Sequence, residues 1–105
     1  MMPVEFHPDA LEELADAACY YESRQSGLGK RFHSLVQQIE TEISEHPETG
    51  FIHDHETRMR LVRKFPFGVI FKTYADHVFI VAVAHLSRKP GYWRRRLPSS
   101  STEQP

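Results

Sequence analysis

The sequence predicts a two-layer α+β domain in which an N-terminal edge strand and a helical hairpin precede a small antiparallel sheet, in the order β-α-α-β-β-β. Apolar residues recur with helical spacing through the first half, and strand-like apolar runs with short connections fill the second half. At 105 residues, 40% apolar and 26% charged, the chain has the size and composition of one ordinary globular domain. We therefore expect a single domain over residues 1–97 and a disordered tail over residues 98–105.

The first half of the chain is predicted to form the edge strand and both helices. Pro3–Phe6 is a short strand candidate, and Pro8 suits the first position of a helix because proline lacks the N–H that would be unpaired there. The residues expected on the buried face of this helix are Leu11, Leu14, Ala15, Ala18 and Tyr21. Residues 23–29 interrupt the helical pattern, and a second apolar stripe then continues until Pro47 ends it.

Residues 47–57 are predicted to be a loop, and three strands are predicted after it. These strands are Met59–Phe65, Val69–Tyr74 and Val78–Leu86, the last of which is apolar at nearly every residue. The short connections restrict neighbouring strands to antiparallel pairing, because a parallel pair needs a crossover of about a dozen residues. The helical hairpin must then bury its apolar stripe on one face of the sheet.

Several classes of protein are excluded by composition. The single cysteine, Cys19, cannot form an internal disulfide framework or a multi-cysteine metal site, and it is expected to be a small packed residue. The histidines around residues 53–55 match no zinc motif. The longest apolar run, Val78–Ala84, is far shorter than the roughly 20 residues of a membrane helix, and the N-terminus carries no export signal. We expect a cytoplasmic protein without metal, cofactor or membrane partner.

Charge is distributed very unevenly along the chain. Residues 1–57 carry three basic and twelve acidic side chains, whereas residues 58–96 carry ten basic side chains and one acidic side chain. One interpretation is that the two halves are solvated surfaces that attract each other in the fold. The other is that the basic half gathers its cations into one surface for a polyanion or an acidic partner. The run Arg94–Arg96 beside aromatic residues favours the second interpretation.

Two basic stretches are candidate sites. In residues 58–64, Arg58, Arg60 and Lys64 are expected on one face of a strand, either to bind an anionic partner or to protect a sheet edge from pairing. In residues 85–96, a histidine at a strand end is followed by arginines, a tyrosine and a tryptophan. Such side chains can transfer protons, bind phosphate and stack on bases, as a metal-free ribonuclease requires. The alternative is purely structural: the histidine ends the strand, the aromatic rings cover the sheet edge, and the arginines are solvated.

Taken in order, these segments resemble the RelE/ParE superfamily of toxins from bacterial type II toxin–antitoxin systems, over roughly residues 4–96. The segments that carry the resemblance are Val4–Leu14, the helix pair ending at Pro47, Arg60–Phe67, Val69–Phe71, Ala82–His85, Arg88, Pro90, Tyr92 and Trp93. The resemblance implies a helical hairpin on an antiparallel sheet and a cognate antitoxin whose C-terminal segment wraps the toxin. We expect that segment to be acidic and amphipathic, and to cover the surface formed by Arg58–Lys64.

The superfamily implies two activities, and the sequence leaves both open. RelE-like members cleave messenger RNA in the ribosome without metal, and ParE-like members poison DNA gyrase. Two features favour a ParE-like toxin, which would belong to an addiction module of the plasmid-stabilisation type. The helical hairpin is long, and residues His53–Glu56 stand where some RelE-like nucleases carry a pair of lysines. A non-toxic nucleic-acid-binding domain is a third interpretation.

The candidate residues differ between these activities. The residues expected to be catalytic if the chain is a nuclease are Arg60 (or Arg63), His85, Arg88 and Tyr92. The residues expected to bind the target (gyrase, or the ribosome and its messenger RNA) or the antitoxin are Arg58, Arg63, Lys64, Lys89, Trp93, Arg94, Arg95 and Arg96.

Overall fold

The computed structural model describes residues 1–54 and 56–98, so the predicted disordered tail lies outside the described residues except for Pro98. The elements are β1 (Val4–Phe6), α1 (Pro8–Arg24), α2 (Leu28–Glu45), β2 (Phe51–Ile52), β3 (Arg58–Val62), β4 (Phe67–Thr73), β5 (Val78–His85) and a 3-10 turn (Arg94–Arg96). The α+β prediction and its order of elements are confirmed, with β2 added inside the predicted loop. Neither helix in these ranges is long and apolar enough to cross a membrane.

The five strands form one sheet in the order β1-β5-β4-β3-β2. Strands β3 to β5 pair antiparallel, as predicted, and the additional strand β2 also pairs antiparallel with β3, with Phe51 opposite Met59. The sheet is nevertheless mixed, because β1 runs parallel to β5 with Val4 opposite Val78. The rule that short connections give antiparallel pairs does not apply to β1, which is separated from β5 by all the other elements.

The helical hairpin has a tight turn that is stabilised by one carboxylate. Glu22, near the end of α1, accepts hydrogen bonds from the backbone N–H groups of Gly27 at 2.8 Å and Gly29 at 2.9 Å. These donors belong to the start of α2 and would otherwise have no partner within that helix. The hydrogen bonds, the one from Gly27 above all, hold the pKa of Glu22 below its usual value. Gly27 itself has φ +89°, a conformation that favours glycine.

The face of α1 that packs on the sheet differs from the predicted one. Small residues allow α1 to approach the sheet closely. The helix buries Ala10, Leu14 and Ala17, whereas Leu11 is 50% exposed. Ala15 and Cys19 are also exposed, so the prediction that both are packed is wrong. The buried residues Ala10, Leu14 and Ala17, together with the apolar stripe of α2, form the main core. They pack against the sheet residues Val62, Val69, Phe71, Val78, Ile80 and Val83.

The opposite face of the sheet is covered by the C-terminal segment. Trp93 is 1% exposed and packs in a second apolar cluster with Met59, Ile70, Val81, Ala82 and Ala84. The adjacent residues Val81 and Ala82 both join this cluster, because the pairing of β5 with β4 shifts register between Ile70 and Phe71 and leaves Val81 as an inserted residue. The indole of Trp93 is therefore a core group, which corrects the prediction that it lies on a binding surface.

Candidate functional site

A cavity of about 630 Å³ opens between α1 and the carboxyl end of β5. One wall is formed by α1, including Asp16 and Tyr20, and the other by His85 and Arg88. The turn between β3 and β4 contributes Pro66 to the same space, and the start of β4 contributes Phe67. The cavity is thus lined by carboxylates, an imidazole, a guanidinium and aromatic rings that come from three separate parts of the chain.

The carboxylate of Glu13 connects three elements beside this cavity. Its Oε1 accepts hydrogen bonds from the backbone N–H of Val83 at 3.0 Å and from Arg96 Nη1 at 3.0 Å. Its Oε2 accepts from the hydroxyl of Tyr92 at 2.8 Å and from Arg96 Nη2 at 2.9 Å. The carboxylate and the guanidinium form a bidentate pair, the strongest geometry for such an ion pair. Glu13 therefore fixes the C-terminal segment to both α1 and β5.

This network lies where β5 has an unpaired edge. Strand β1 pairs with β5 only as far as Ile80, so no strand among the described residues lies beside the edge of β5 beyond that residue. Glu13 satisfies the N–H of Val83, and Arg96 Nη1 donates to the carbonyl of Val81 at 3.1 Å. Two side chains thus take the place of the missing strand, since buried backbone groups need partners.

The hydroxyl of Tyr92 is already engaged as a hydrogen-bond donor to Glu13. Burial, and then the hydrogen bond to Glu13, raise the pKa of Tyr92 well above its usual value. Its ring lies under the guanidinium of Arg88, 3.8 Å from the ring centroid. Tyr92 is therefore held protonated, and it cannot act as a general base near neutral pH in this arrangement.

The imidazole of His85 is oriented by Ser87. Its Nδ1 accepts a hydrogen bond from the backbone N–H of Ser87 at 3.0 Å and lies 2.7 Å from the Ser87 hydroxyl. Because a backbone N–H can only donate, Nδ1 is the acceptor and a neutral ring carries its proton on Nε2. The Nε2–H group of His85 is thus a hydrogen-bond donor, and the ring packs edge-on against Phe67 with 5.1 Å between the ring centroids.

Arg60 is located in a different part of the molecule. It forms an ion pair with Glu42 of α2 and donates to Thr49 Oγ1 at 3.2 Å. The hydrogen bond from Arg60 lowers the pKa of Glu42. Arg60, with Arg63, lines a separate cavity of about 270 Å³ between α2 and β3. The structure therefore brings His85, Arg88 and Tyr92 together but leaves the predicted fourth nuclease residue outside.

The remaining predicted cations do not form one surface. Arg94 donates to Asp54 at 2.5 Å, Arg96 is paired with Glu13, and Arg58 donates to the carbonyl of Gly50 at 3.3 Å. Within residues 1–54 and 56–98, the cations with no carboxylate at ion-pair distance include Arg63, Lys64, Lys89 and Arg95. The expectation of a single cationic patch is wrong, because acidic residues of the first half neutralise several of its members.

Sequence reasoning overlooked the acidic side of the site. Glu13, Asp16, Ala17 and Tyr20 share one face of α1 and line the cavity. Their spacing of three and four residues was the available signal, since such residues are neighbours on a helix. Among the described residues, which do not include His55, no three His, Cys, Asp or Glu side chains are placed to bind a metal ion.

Comparison with known proteins identifies the family. A family model described as "ParE toxin of type II toxin-antitoxin system, parDE" matches residues 4–90. A solved structure titled "Chromosomal ParDE TA system from P. aeruginosa" superposes with a TM-score of 0.70, covering 83% of this chain and 98% of that one. At 13% identity, this similarity concerns the fold. No curated protein matches the sequence significantly. Because the family model spans most of the sequence, the chain belongs to the ParE toxin family of type II toxin–antitoxin systems.

Proposed function

We propose that this toxin stops growth by binding DNA gyrase in the cytoplasm and that a cognate antitoxin neutralises it, as part of an addiction module that can stabilise a plasmid. The family match supports the toxin role and an antitoxin partner. The observation that favours a binding mechanism over catalysis is the arrangement of the nuclease candidates. Tyr92 and Arg60 are engaged with Glu13 and Glu42 respectively, at two separate cavities.

The chemistry of RNA cleavage explains why this arrangement matters. Attack by a 2′-hydroxyl needs a general base, a general acid and cations around a single phosphate. In this structure the tyrosine hydroxyl donates to a carboxylate, and the Nδ1 atom of His85 is occupied by Ser87. Arg88 contacts the ring of Tyr92, and Arg60 lies at the other cavity. Among the four residues of this set, none therefore presents an unengaged general base beside the others.

A gyrase cleavage assay tests the proposal. Purified full-length protein is incubated with gyrase, ATP and supercoiled plasmid, and the reaction is stopped with detergent and protease. We expect linear DNA to accumulate with increasing toxin, because a gyrase poison traps the cleaved complex. The matched control omits gyrase and should leave the plasmid intact. Intact plasmid in the complete reaction would contradict gyrase as the target.

A growth assay tests the toxin role independently of the target. Induction of the chain alone should arrest growth, and co-expression of the small protein encoded beside its gene should restore growth. Normal growth despite abundant soluble protein would contradict toxicity.

A messenger RNA endoribonuclease remains the second candidate, because His85, Arg88 and Tyr92 do lie near one another. The test is primer extension on messenger RNA from a translating extract supplied with the protein. The gyrase proposal predicts no new 5′ ends. New ends that appear with the wild-type chain and disappear with His85→Ala would assign the nuclease activity instead.

A further inference from the structure

Three apolar side chains are exposed on the outer face of the sheet, which is the face opposite the helical hairpin. Phe51 is 49% exposed, Leu61 is 52% exposed and Leu86 is 50% exposed. Phe51 lies opposite Met59, a member of the second apolar cluster, and Leu61 follows Met59 by two residues on β3, so both point to the outer face. Leu86 lines a cavity with Met59 and Trp93 on the same face. We name Phe51, Leu61 and Leu86 the outer patch.

The surface between Leu61 and Leu86 is a shallow trough, because small residues lie between them. Gly68 of β4 is paired with Leu61, and Ala84 of β5 is paired with Gly68. A Cβ atom at Gly68 would lie 2.7 Å from Met59 Sδ, so Met59 fills the space that a side chain there would need. Two strand spacings separate β3 from β5, about 10 Å, which is close to the diameter of an α-helix with its side chains. The trough is therefore wide enough for one helix or loop of a partner.

The outer patch is supported by side chains that are already fixed in place. The ring of His53 lies between two others, with its centroid 6.4 Å from that of Phe51 and 5.9 Å from that of the buried Trp93. The cavity beside these rings measures about 100 Å³. Side chains held in this way lose little conformational entropy on binding, so the outer patch is suited to the preformed surface of a folded partner.

The charge beside the outer patch is positive. Arg88 and Lys89 follow Leu86 and line the same cavity, and none of the described residues that line it is acidic. Within residues 1–54 and 56–98, no carboxylate lies at ion-pair distance from Arg88 or Lys89. Asp54, two residues after β2, is paired with Arg94 at 2.5 Å. A matching partner therefore offers apolar side chains together with a carboxylate near Lys89.

We propose that the outer patch is the surface by which the toxin binds gyrase, an inference that rests on the proposed function. The surface of the enzyme that it fits is apolar at its centre and acidic at its rim. One helix or loop of gyrase lies in the trough between Leu61 and Leu86, and a gyrase carboxylate pairs with Lys89. Exposed apolar side chains grouped on one face of a small domain are typical of such contacts between proteins.

Two other occupants fit the outer patch less well. A DNA duplex presents phosphates, which Phe51, Leu61 and Leu86 cannot neutralise because they carry no charge. A second copy of this chain, related by a two-fold axis, presents the same patch to itself. Neither copy of Lys89 would then find a carboxylate in the opposing cavity lining.

Binding of the purified full-length toxin to purified gyrase, measured by biolayer interferometry, tests the apolar part of the outer patch. Leu61→Gln and Leu86→Gln should each raise the Kd about tenfold, because an amide that has to be dehydrated replaces an apolar contact. Leu11→Gln is the matched control, since Leu11 is also 50% exposed but lies on α1. Its Kd should change by less than about twofold. Circular dichroism should show the same folded content for all three variants.

The same binding measurement at two salt concentrations tests the charge beside the outer patch. Lys89→Glu should raise the Kd about tenfold at low ionic strength and by a smaller factor at high ionic strength, because salt screens the repulsion from gyrase carboxylates. Lys30→Glu makes the same change of charge on the exposed side of α2. This control should change the Kd by less than about twofold at both concentrations.

Two results would overturn the outer-patch assignment and leave the proposed function intact. One is trapping of cleaved DNA by the wild-type toxin with equal gyrase Kd values for Leu61→Gln, Leu86→Gln and Leu11→Gln. The other is binding of the wild type to a labelled DNA duplex without gyrase that Lys89→Glu abolishes and Leu61→Gln leaves unchanged, which would make this face a DNA site. A wild-type toxin that neither binds gyrase nor traps cleaved DNA would contradict the proposed function, and the outer-patch assignment with it.

Discussion

Glu13 shows how much one side chain can determine in a small domain. Its carboxylate receives hydrogen bonds from β5, from Tyr92 and from Arg96, which are more than 60 residues away in sequence. Arg96 is 11% exposed, so its charge depends on this partner. Breaking a buried ion pair by removing one partner costs more than the pair itself contributes, because the other charge remains unpaired. Nothing in the residue type distinguishes Glu13 from Glu12, and the distinction arises only from the fold.

The variant Glu13→Gln should therefore destabilise the protein by about 2–4 kcal/mol. Glutamine keeps the size of the side chain but removes the bidentate partner of Arg96, which keeps only the carboxylate of Asp9 at 3.8 Å. Urea unfolding followed by circular dichroism measures the change, and Glu12→Gln, on the exposed face of the same helix, should alter stability by less than about 0.5 kcal/mol. Equal urea concentrations at the midpoint of unfolding for the two variants would contradict the role assigned to Glu13.

Tyr92 gives a prediction for alkaline pH. Its pKa is raised in the folded protein, above all by burial, so the folded state favours the protonated form. This contribution to stability is fully present below the unfolded-state pKa of about 10, and it is lost as pH rises above that value. Unfolding measured from pH 8 to 11 should show a steeper loss for the wild type than for Tyr92→Phe. If the stability of the two proteins falls in parallel over this pH range, the raised pKa of Tyr92 is contradicted.

At the level of the elements, the two helices are in close backbone contact at Gly29. A Cβ atom at this position would lie 2.2 Å from the carbonyl oxygen of Ala18 and 2.8 Å from Glu22 Cβ. The first of these neighbours is backbone, so it cannot move without shifting α1. The distance between the helices is thus set by the absence of a side chain at Gly29.

Gly29→Ala should destabilise the protein by about 1–3 kcal/mol, although alanine is the better helix former by about 1 kcal/mol. The clash exceeds the gain in helix propensity because the neighbouring backbone has to move. Thermal unfolding measures the effect. The control is Ser34→Ala on the exposed face of α2, for which we expect a small increase in melting temperature. A higher melting temperature for Gly29→Ala would mean that the helices separate easily.

The elements that sequence reasoning predicted well are those with strong periodicity or clear termination signals. Both helices and three of the strands follow from spacing, and Pro8 begins α1 as predicted. The two-residue strand β2 has no periodicity to detect. Strand β3 ends at Val62 rather than Phe65, because the left-handed conformation of Lys64 stops the alternation. The face of α1 was misjudged because its small buried alanines carry a weaker hydrophobic signal than the exposed Leu11.

At the scale of the whole molecule, the acidic and basic halves fold onto each other. Ion pairs join Arg60 to Glu42, Arg94 to Asp54 and Arg96 to Glu13. The charge count of the sequence was correct, but it could not show which cations are neutralised, because each pairing depends on long-range packing. The cations that have no carboxylate at ion-pair distance within residues 1–54 and 56–98 could be identified only from the structure.

The C-terminal segment is predicted to be essential for folding. The family match ends at residue 90, yet Tyr92, Trp93 and Arg96 all hold the sheet together. Loss of a buried tryptophan alone costs about 3–5 kcal/mol, which approaches the whole stability of many small domains. A chain of residues 1–90 should therefore be unfolded by circular dichroism, whereas a chain of residues 1–98 should unfold cooperatively. A folded 1–90 chain would contradict this role.

The parallel pairing of β1 with β5 has a consequence for synthesis in the cell. The first strand of the domain cannot find its neighbour until residues 78–80 have left the ribosome. Contacts between such distant parts of a chain form late and slowly. The nascent polypeptide consequently cannot complete its sheet before β5 has been synthesised.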